Sequence, residues 1–146
     1  MTPYVFSSAL TLDTSQYAAG DTLGDLLEVT NVVRRAGERA VLQSVFVIDK
    51  SDQGAAFDLV LFDRSVTLSA KNAAWNTSDD DMAFAQALVR VTGSDYVDLG
   101  GNRIAQLGEL RRGVKPNATS LYLGTVSQGT GTYAAAGLLV VLTFLR

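Results

Sequence analysis

The sequence predicts an all-β protein: an antiparallel β-sandwich, most simply a jelly roll, with one short helix. Three observations carry this expectation. Four short apolar runs, Val41 to Ile48, Phe57 to Phe62, Leu121 to Val126 and Leu138 to Leu145, are rich in β-branched and aromatic residues. Thirteen glycines and two prolines suit strands joined by turns better than a helical bundle. About eight strand candidates recur at intervals of roughly 8–15 residues, a spacing that favours a sandwich over a parallel α/β sheet. At 146 residues the chain is expected to be a single domain, residues 1–146, long enough to bury about 68–70% of its unfolded surface.

Taken in order, Tyr4, Phe6, Leu10 and Leu12 open the chain, and Tyr17 to Gly24, with Asp21 between two glycines, reads as a bend. Leu26, Leu27 and Val29 form a strand that breaks near Asn31. Arg34 to Arg39 is a polar connection into the first long strand, Val41 to Ile48. Asp49 to Gly54 is a turn cluster, and Phe57 to Asp63 is expected to run back as the second arm of a hairpin. The helix is placed over residues 80–88. There Asp79, Asp80 and Asp81 suit a first helical turn, and Met82, Phe84, Ala85 and Leu88 are spaced like one apolar face. Val89 to Thr92 and Tyr96 to Leu99 read as strands. Gly100-Gly101-Asn102 is a turn across which Ile104 to Leu107 pairs back. Arg111 to Asn117 is a loop. The last two long strands are joined by the polar tip Ser127 to Thr132.

The long runs are apolar on both alternating faces, where a strand with one wet face alternates apolar and polar residues. Each large side chain left in water forfeits roughly 1.5–3 kcal/mol, and an uncovered apolar face invites aggregation. A second cover is therefore expected, from another sheet edge, a loop or another chain, and the pattern points toward a module built to assemble. The core is assigned to Val45, Val47, Leu59, Leu61, Leu121, Leu123, Val140 and Leu142, or to the opposite parity, because a one-residue slip exchanges the faces.

Composition narrows the chemistry. The net charge of −3 favours neither nucleic acid nor an anionic membrane. The chain contains no cysteine and no histidine, which removes disulfides, thiol nucleophiles, imidazole bases and His- or Cys-ligated metal sites. The longest apolar run falls well short of the roughly 18 residues of a spanning helix. Met1 to Leu10 lacks the charged and apolar regions of a signal peptide, so synthesis in the cytoplasm is expected. Asp79-Asp80-Asp81, and Asp49 and Asp52 beside Gly54, are helix-cap and turn formers; as calcium ligands they lack the alternating spacing of an EF-hand loop. The glutamates Glu28, Glu38 and Glu109 and the strand carboxylates Asp58 and Asp98 give no legible acid pair. Gly129-Thr130-Gly131 lacks the remainder of a phosphate loop. No enzyme activity and no cofactor are expected.

Three segments carry a family likeness: Tyr17-x-x-Gly20-Asp21-x-Leu23-Gly24 before an apolar strand; Leu42-Gln43-Ser44-Val45 to Ile48-Asp49-Lys50, running into Phe57 to Asp63; and Ser120-Leu121-Tyr122, then Thr132-Tyr133 leading into the C-terminal strand. In pattern and order, over residues 15–145, the chain resembles the capsid cement or decoration proteins of tailed phages, which have a jelly-roll fold. The resemblance implies a non-enzymatic virion protein, made in the host cytoplasm. It would bind the outer surface of the major capsid protein shell and clamp neighbouring subunits as a homodimer or homotrimer. The family offers no catalytic residues to carry over. The alternative is a carbohydrate- or receptor-binding sandwich module of a phage tail.

Five residues stand out as partner contacts. Trp75 lies in the polar segment Asn72 to Ser78, where a tryptophan either anchors a partner or folds back onto the sheet. Arg34, Arg35, Arg111 and Arg112 fall in loops, from which they can meet an acidic capsid surface through charge-assisted hydrogen bonds.

Overall fold

The structure, a computed structural model, describes residues 1–146. Ten strands are present: β1 (Pro3–Ala9), β2 (Leu27–Val29), β3 (Ala40–Asp49), β4 (Phe57–Phe62), β5 (Ala85–Val91), β6 (Tyr96–Asp98), β7 (Arg103–Leu107), β8 (Arg112–Val114), β9 (Leu121–Ser127) and β10 (Leu138–Leu145). One sheet runs β1-β10-β3-β7-β6, with β8 also paired to β3; the other runs β2-β9-β4-β5. Leaving aside the short β6 and β8, the first strand pairs with the last and the second with the one before it. The third and its counterpart β7 pair likewise, and the middle two pair with each other, all antiparallel. This is a long hairpin rolled into a sandwich, a jelly roll.

Rolling up corrects the expected hairpin. β3 and β4 do not pair; they lie in opposite sheets, and Asp49 to Gly54 is the corner that carries the chain between them. β9 and β10 are separated in the same way. The helix over residues 80–88 is also corrected. Only α1 (Asp79–Met82) is helical, capped by the Ser78 Oγ, which accepts from the Asp81 N–H at 3.2 Å. From Ala85 onward Ala87, Val89 and Val91 are buried while Gln86, Leu88 and Arg90 are exposed, so a two-residue period overrides the helical spacing. A further strand, β8, occupies part of the expected loop at Arg111 to Asn117.

Between the sheets lies one main core. Val45, Val47, Leu59, Leu61, Leu121, Leu123, Val140 and Leu142 are all within it, which settles the parity in favour of the first set. Tyr17 and Tyr133 meet edge to face, with ring centroids 5.9 Å apart. The Tyr17 hydroxyl donates to the Leu23 carbonyl at 2.6 Å and accepts from the Asp13 N–H at 2.8 Å.

Burial pushes the phenols of Tyr96 and Tyr133 well above the ordinary tyrosine value of 10.0, and the Asp49 carboxylate nearby adds to the effect. Above pH 10 the unfolded chain sheds these protons while the folded chain keeps them, so stability is intact below pH 10 and falls as pH rises. The slope is about 1.4 kcal/mol per pH unit per tyrosine, or ~2.7 kcal/mol for the two. Urea midpoints are expected to drop steeply between pH 10 and 11, and Tyr96→Phe with Tyr133→Phe to flatten that drop. An unchanged slope in the double variant assigns the alkaline loss to other groups.

The outer faces of the two sheets differ. Every residue of β4 is buried, because the chain itself covers this side. Val60, Phe62 and Val66 form a second small core with Leu26, Leu68, Trp75, Phe84 and Tyr122. Here a loop, not another molecule, supplies the expected second cover. On the larger sheet the outward residues of β3 and β10 are only half-buried. Cross-strand register aligns Ala9, Leu139, Ile48, Ile104 and Val97 in one row and Ser7, Val141, Phe46 and Gln106 in the next. No charged side chain stands in either row.

Candidate functional site

Loops at one end of the sandwich gather the cations. β3 begins there at Ala40, directly after the Arg34 to Arg39 connection. β8 pairs alongside it, with Ala40 opposite Val114 and Leu42 opposite Arg112. This pairing brings the two arginine segments, distant in sequence, to the same end of the molecule. Arg34, Arg35, Arg39, Arg111, Arg112 and Lys115 are all exposed.

Local chemistry holds both loops. The Glu38 carboxylate accepts from the backbone N–H groups of Arg34 and Arg35 at 3.0 and 3.1 Å, and Glu38 donates its own N–H to the Arg35 carbonyl at 3.2 Å. The arginine side chains take no part in these bonds. Between β7 and β8, Glu109 and Arg111 both adopt left-handed backbone angles, with φ of 54° and 53°, which turn the chain sharply into β8. Non-glycine residues in this region are uncommon and bear strain. Gln86 accepts from the Lys115 N–H at 3.1 Å and so ties β5 to this end. A groove of about 500 Å³ runs between Arg39, Ala40, Val41, Gln86, Gly113, Val114 and Lys115.

Electrostatics separates these cations from the others. Arg64, Lys71, Arg90 and Arg103 are ion-paired with Asp63, Asp25, Asp58 and the pair Asp52 and Asp98, respectively. Arg146 lies over the Tyr4 ring, 4.3 Å from its centroid, and donates to the Asn31 carbonyl at 2.6 Å. Of the remaining cations, every one except Lys50 belongs to the two loop segments. The opposite end, at the corners near Asp13, Asp21, Asp49, Asp52, Asp95 and Asp98, is predominantly acidic. A chain whose total charge is −3 thus carries a concentrated positive end.

The structure places Arg34 and Arg35 in the connection before β3 and Arg111 and Arg112 at the start of β8, with Arg112 opposite Leu42, and adds Arg39 and Lys115, which flank the Ala40–Val114 pair and which the sequence reading did not single out. The signal that finds them is the β3–β8 pairing, hidden because Arg112 to Val114 reads as loop. Trp75 lies apart from this end. It folds back, with its indole against Gly124 and Phe62: a Cβ placed on Gly124 would stand 2.9 Å from Trp75 Cη2 and 3.2 Å from Phe62 Cε2. Three of the carboxylates considered for calcium are held otherwise. Asp81 accepts from the Thr67 N–H, Asp49 accepts three backbone N–H groups, and Asp52 pairs with Arg103. No group of three or more acidic side chains is placed to hold a metal ion.

No protein-family model matches the chain, and no curated protein matches it. Among solved structures it is similar to infectious bursal disease virus VP2 in a subviral particle, at 13% identity and a TM-score of 0.38, over 99% of this chain and 33% of that one. It is also similar to a chain of the T13 viral particle of the same virus, at 11% identity and a TM-score of 0.33, over 99% and 35% of the two chains. A third similarity is to the N-terminal CBM22-1-GH10 modules of Clostridium thermocellum endo-1,4-beta-D-xylanase 10B, at 14% identity and a TM-score of 0.35, over 99% and 24%. The chain spans about a third or less of the length of these solved chains.

Proposed function

We propose that the protein is a non-enzymatic structural protein of a phage head, a cement or decoration protein that binds the outer surface of a capsid and stabilises contacts between coat subunits. The observation that supports this reading best is the arginine-rich end. Six exposed cations without ion-pair partners, Arg34, Arg35, Arg39, Arg111, Arg112 and Lys115, sit on two loops anchored to a central strand. Guanidinium groups without an internal carboxylate partner form charge-assisted, often bidentate, bonds with carboxylates on a partner. A clamping role needs a rigid scaffold and matched charge, and a jelly roll with its cations on tethered loops supplies both. The order of sequence segments shared with cement proteins points the same way. A sugar-binding platform would present flat aromatic rings to solvent, whereas the exposed large apolar residues are Met1, Val5, Met82, Leu88, Val97 and Leu99, none of them aromatic.

Co-sedimentation with empty capsids from the same source tests the reading. The wild-type protein is expected to pellet with capsids, and the combined charge reversal Arg34→Glu, Arg35→Glu, Arg111→Glu and Arg112→Glu to reduce binding at least tenfold. Raising salt should weaken wild-type binding in the same direction, because exposed charge pairs are screened. These side chains make no internal ion pair, so the reversal variant should melt near the wild-type temperature. Wild-type protein that stays in the supernatant, or a reversal variant that binds as well as wild type, overturns the proposal.

A further inference from the structure

We propose that β1 is a self-association edge, along which a second copy of the chain adds its own β1 antiparallel about a two-fold axis. The inference rests on the backbone and stands apart from the capsid reading. Beyond the strand ends, Thr2 and Arg146 exchange backbone hydrogen bonds at 2.7 and 3.0 Å, and the Leu10 N–H donates to Leu138 at 2.9 Å. The antiparallel ladder alternates every two residues, so Tyr4, Phe6 and Ser8 bond to β10 and the N–H and C=O groups of Val5, Ser7 and Ala9 point away from it. Pro3, Val5 and Ser7 are exposed. Nothing in the chain pairs with these edge groups except at the Ala9 carbonyl, which accepts from the Ser8 hydroxyl at 3.0 Å.

An unpaired edge of seven residues is a template for another strand, and proteins usually blunt such edges with lysines, bulges or inward charges. β1, Pro-Tyr-Val-Phe-Ser-Ser-Ala, carries no charge and has no bulge against β10. Its own sequence is the strand that fits. With Phe6 opposite Phe6 of the second copy, Val5 stands opposite Ser7 and Pro3 opposite Ala9. Every free edge N–H then meets a carbonyl. The one acceptor left without a donor, because proline has no N–H, is the Ala9 carbonyl that Ser8 already satisfies. Charge agrees with this pairing. Two chains of net charge −3 repel in general, but the outward rows beside this edge contain no charged residue, so the copies meet where no like charges face each other. The pairing would also join the two larger sheets into one continuous sheet.

One edge strand buries less than the roughly 1,200–2,000 Å² of a standard stable interface, so a weak dimer that dissociates on dilution is expected. Sedimentation velocity from micromolar to millimolar protein should show a monomer–dimer equilibrium. Amide exchange at Val5, Ser7 and Ala9 should slow as the concentration rises, while other exposed amides stay unchanged. Ser7→Pro removes an outward N–H without touching the bonds to β10 and should weaken dimerisation at least tenfold with the fold retained by circular dichroism. Ser7→Lys, which places a charge one residue from the two-fold axis and opposite Val5 of the second copy, provides a second route should proline disturb β1. A monomer throughout the concentration range overturns the proposal, as does a dimer or trimer equally stable in a folded Ser7 variant.

Discussion

Asp49→Ala is expected to lower the unfolding free energy by about 3–5 kcal/mol, from the loss of several charge-assisted bonds at a buried site, and so to lower the melting temperature by roughly 10 °C or more. Asp49 is fully buried at the end of β3. One carboxylate oxygen accepts from the Ser51 N–H at 3.0 Å, and the other accepts from the Gln53 and Gly54 N–H groups at 2.8 and 2.7 Å. Those bonds shape the corner from one sheet to the other, through left-handed angles at Asp52 (φ 54°) and Gly54 (φ 59°). The corner in turn holds the β9–β10 connection. Lys50 donates to the Gly137 carbonyl at 2.8 Å, and Thr132 and Ala134 donate to the side chains of Gln53 and Ser51 at 3.1 Å each. Alanine leaves three backbone donors without their acceptor and loosens both sheet crossings at that end. Asp49→Asn separates charge from shape. One amide oxygen can serve Gln53 and Gly54, but the NH2 group then faces the Ser51 N–H, donor against donor, so only part of the loss should be recovered. Urea denaturation of the three proteins checks the order wild type, Asn, Ala; equal stability of Ala and wild type shows that water or a rearranged turn replaces the carboxylate at no cost.

That corner also marks where sequence reasoning stopped. Asp49 to Gly54 announced a turn, and the flanking runs announced strands, and both are present. Whether a turn joins neighbours in one sheet or crosses between sheets depends on which distant strands are already paired, and strands apolar on both faces do not record it. Parity was open for the same reason; the alternating burial along β3 and β10, which puts Val45, Val47, Val140 and Leu142 inside, decides it. At residues 80–88 two periods were superimposed. Met82, Phe84, Ala85 and Leu88 fit a helix, but Ala87, Val89 and Val91 fit a strand, and pairing along the whole of β4 decides for the strand. The three aspartates did mark a helical turn. The arginines were visible as residues, while their convergence depended on the three-residue strand β8, which is too short and too polar to stand out in sequence. The free edge of β1 is invisible in sequence altogether, because an edge is defined by the neighbour a strand lacks.

Gly124→Val is expected to dislodge Trp75 and to shift its emission to longer wavelength, with a loss of about 1–3 kcal/mol from overpacking. Gly124 lies in β9 opposite Val60, on the outer face that the chain's own loop covers. The missing side chain makes the seat for the indole. A first carbon there would already stand 2.9 Å from Trp75 Cη2, 3.2 Å from Phe62 Cε2 and 3.4 Å from Trp75 Cζ3, and valine adds two methyl groups beyond it. A tryptophan ring has no flexible tip with which to retreat, so the whole segment must lift. That segment is tied down on one side by the Trp75 N–H donating to Gly20 at 2.9 Å and by paired bonds of Asn72 and Ala73 with Thr22 at 2.8 Å. Displacement of the ring therefore strains an extended pairing as well as exposing Val60, Phe62 and Val66. Because Trp75 is the only tryptophan, its fluorescence reports this event without ambiguity. Gly124→Ala should show a smaller shift, since its single methyl group displaces the ring less than the three carbons of valine do. Trp75→Ala should cancel most of the additional penalty of Gly124→Val in a double-mutant cycle, because the clash is then gone. An unshifted emission maximum in Gly124→Val, or strictly additive losses in the double variant, contradicts the seating of the indole on this glycine.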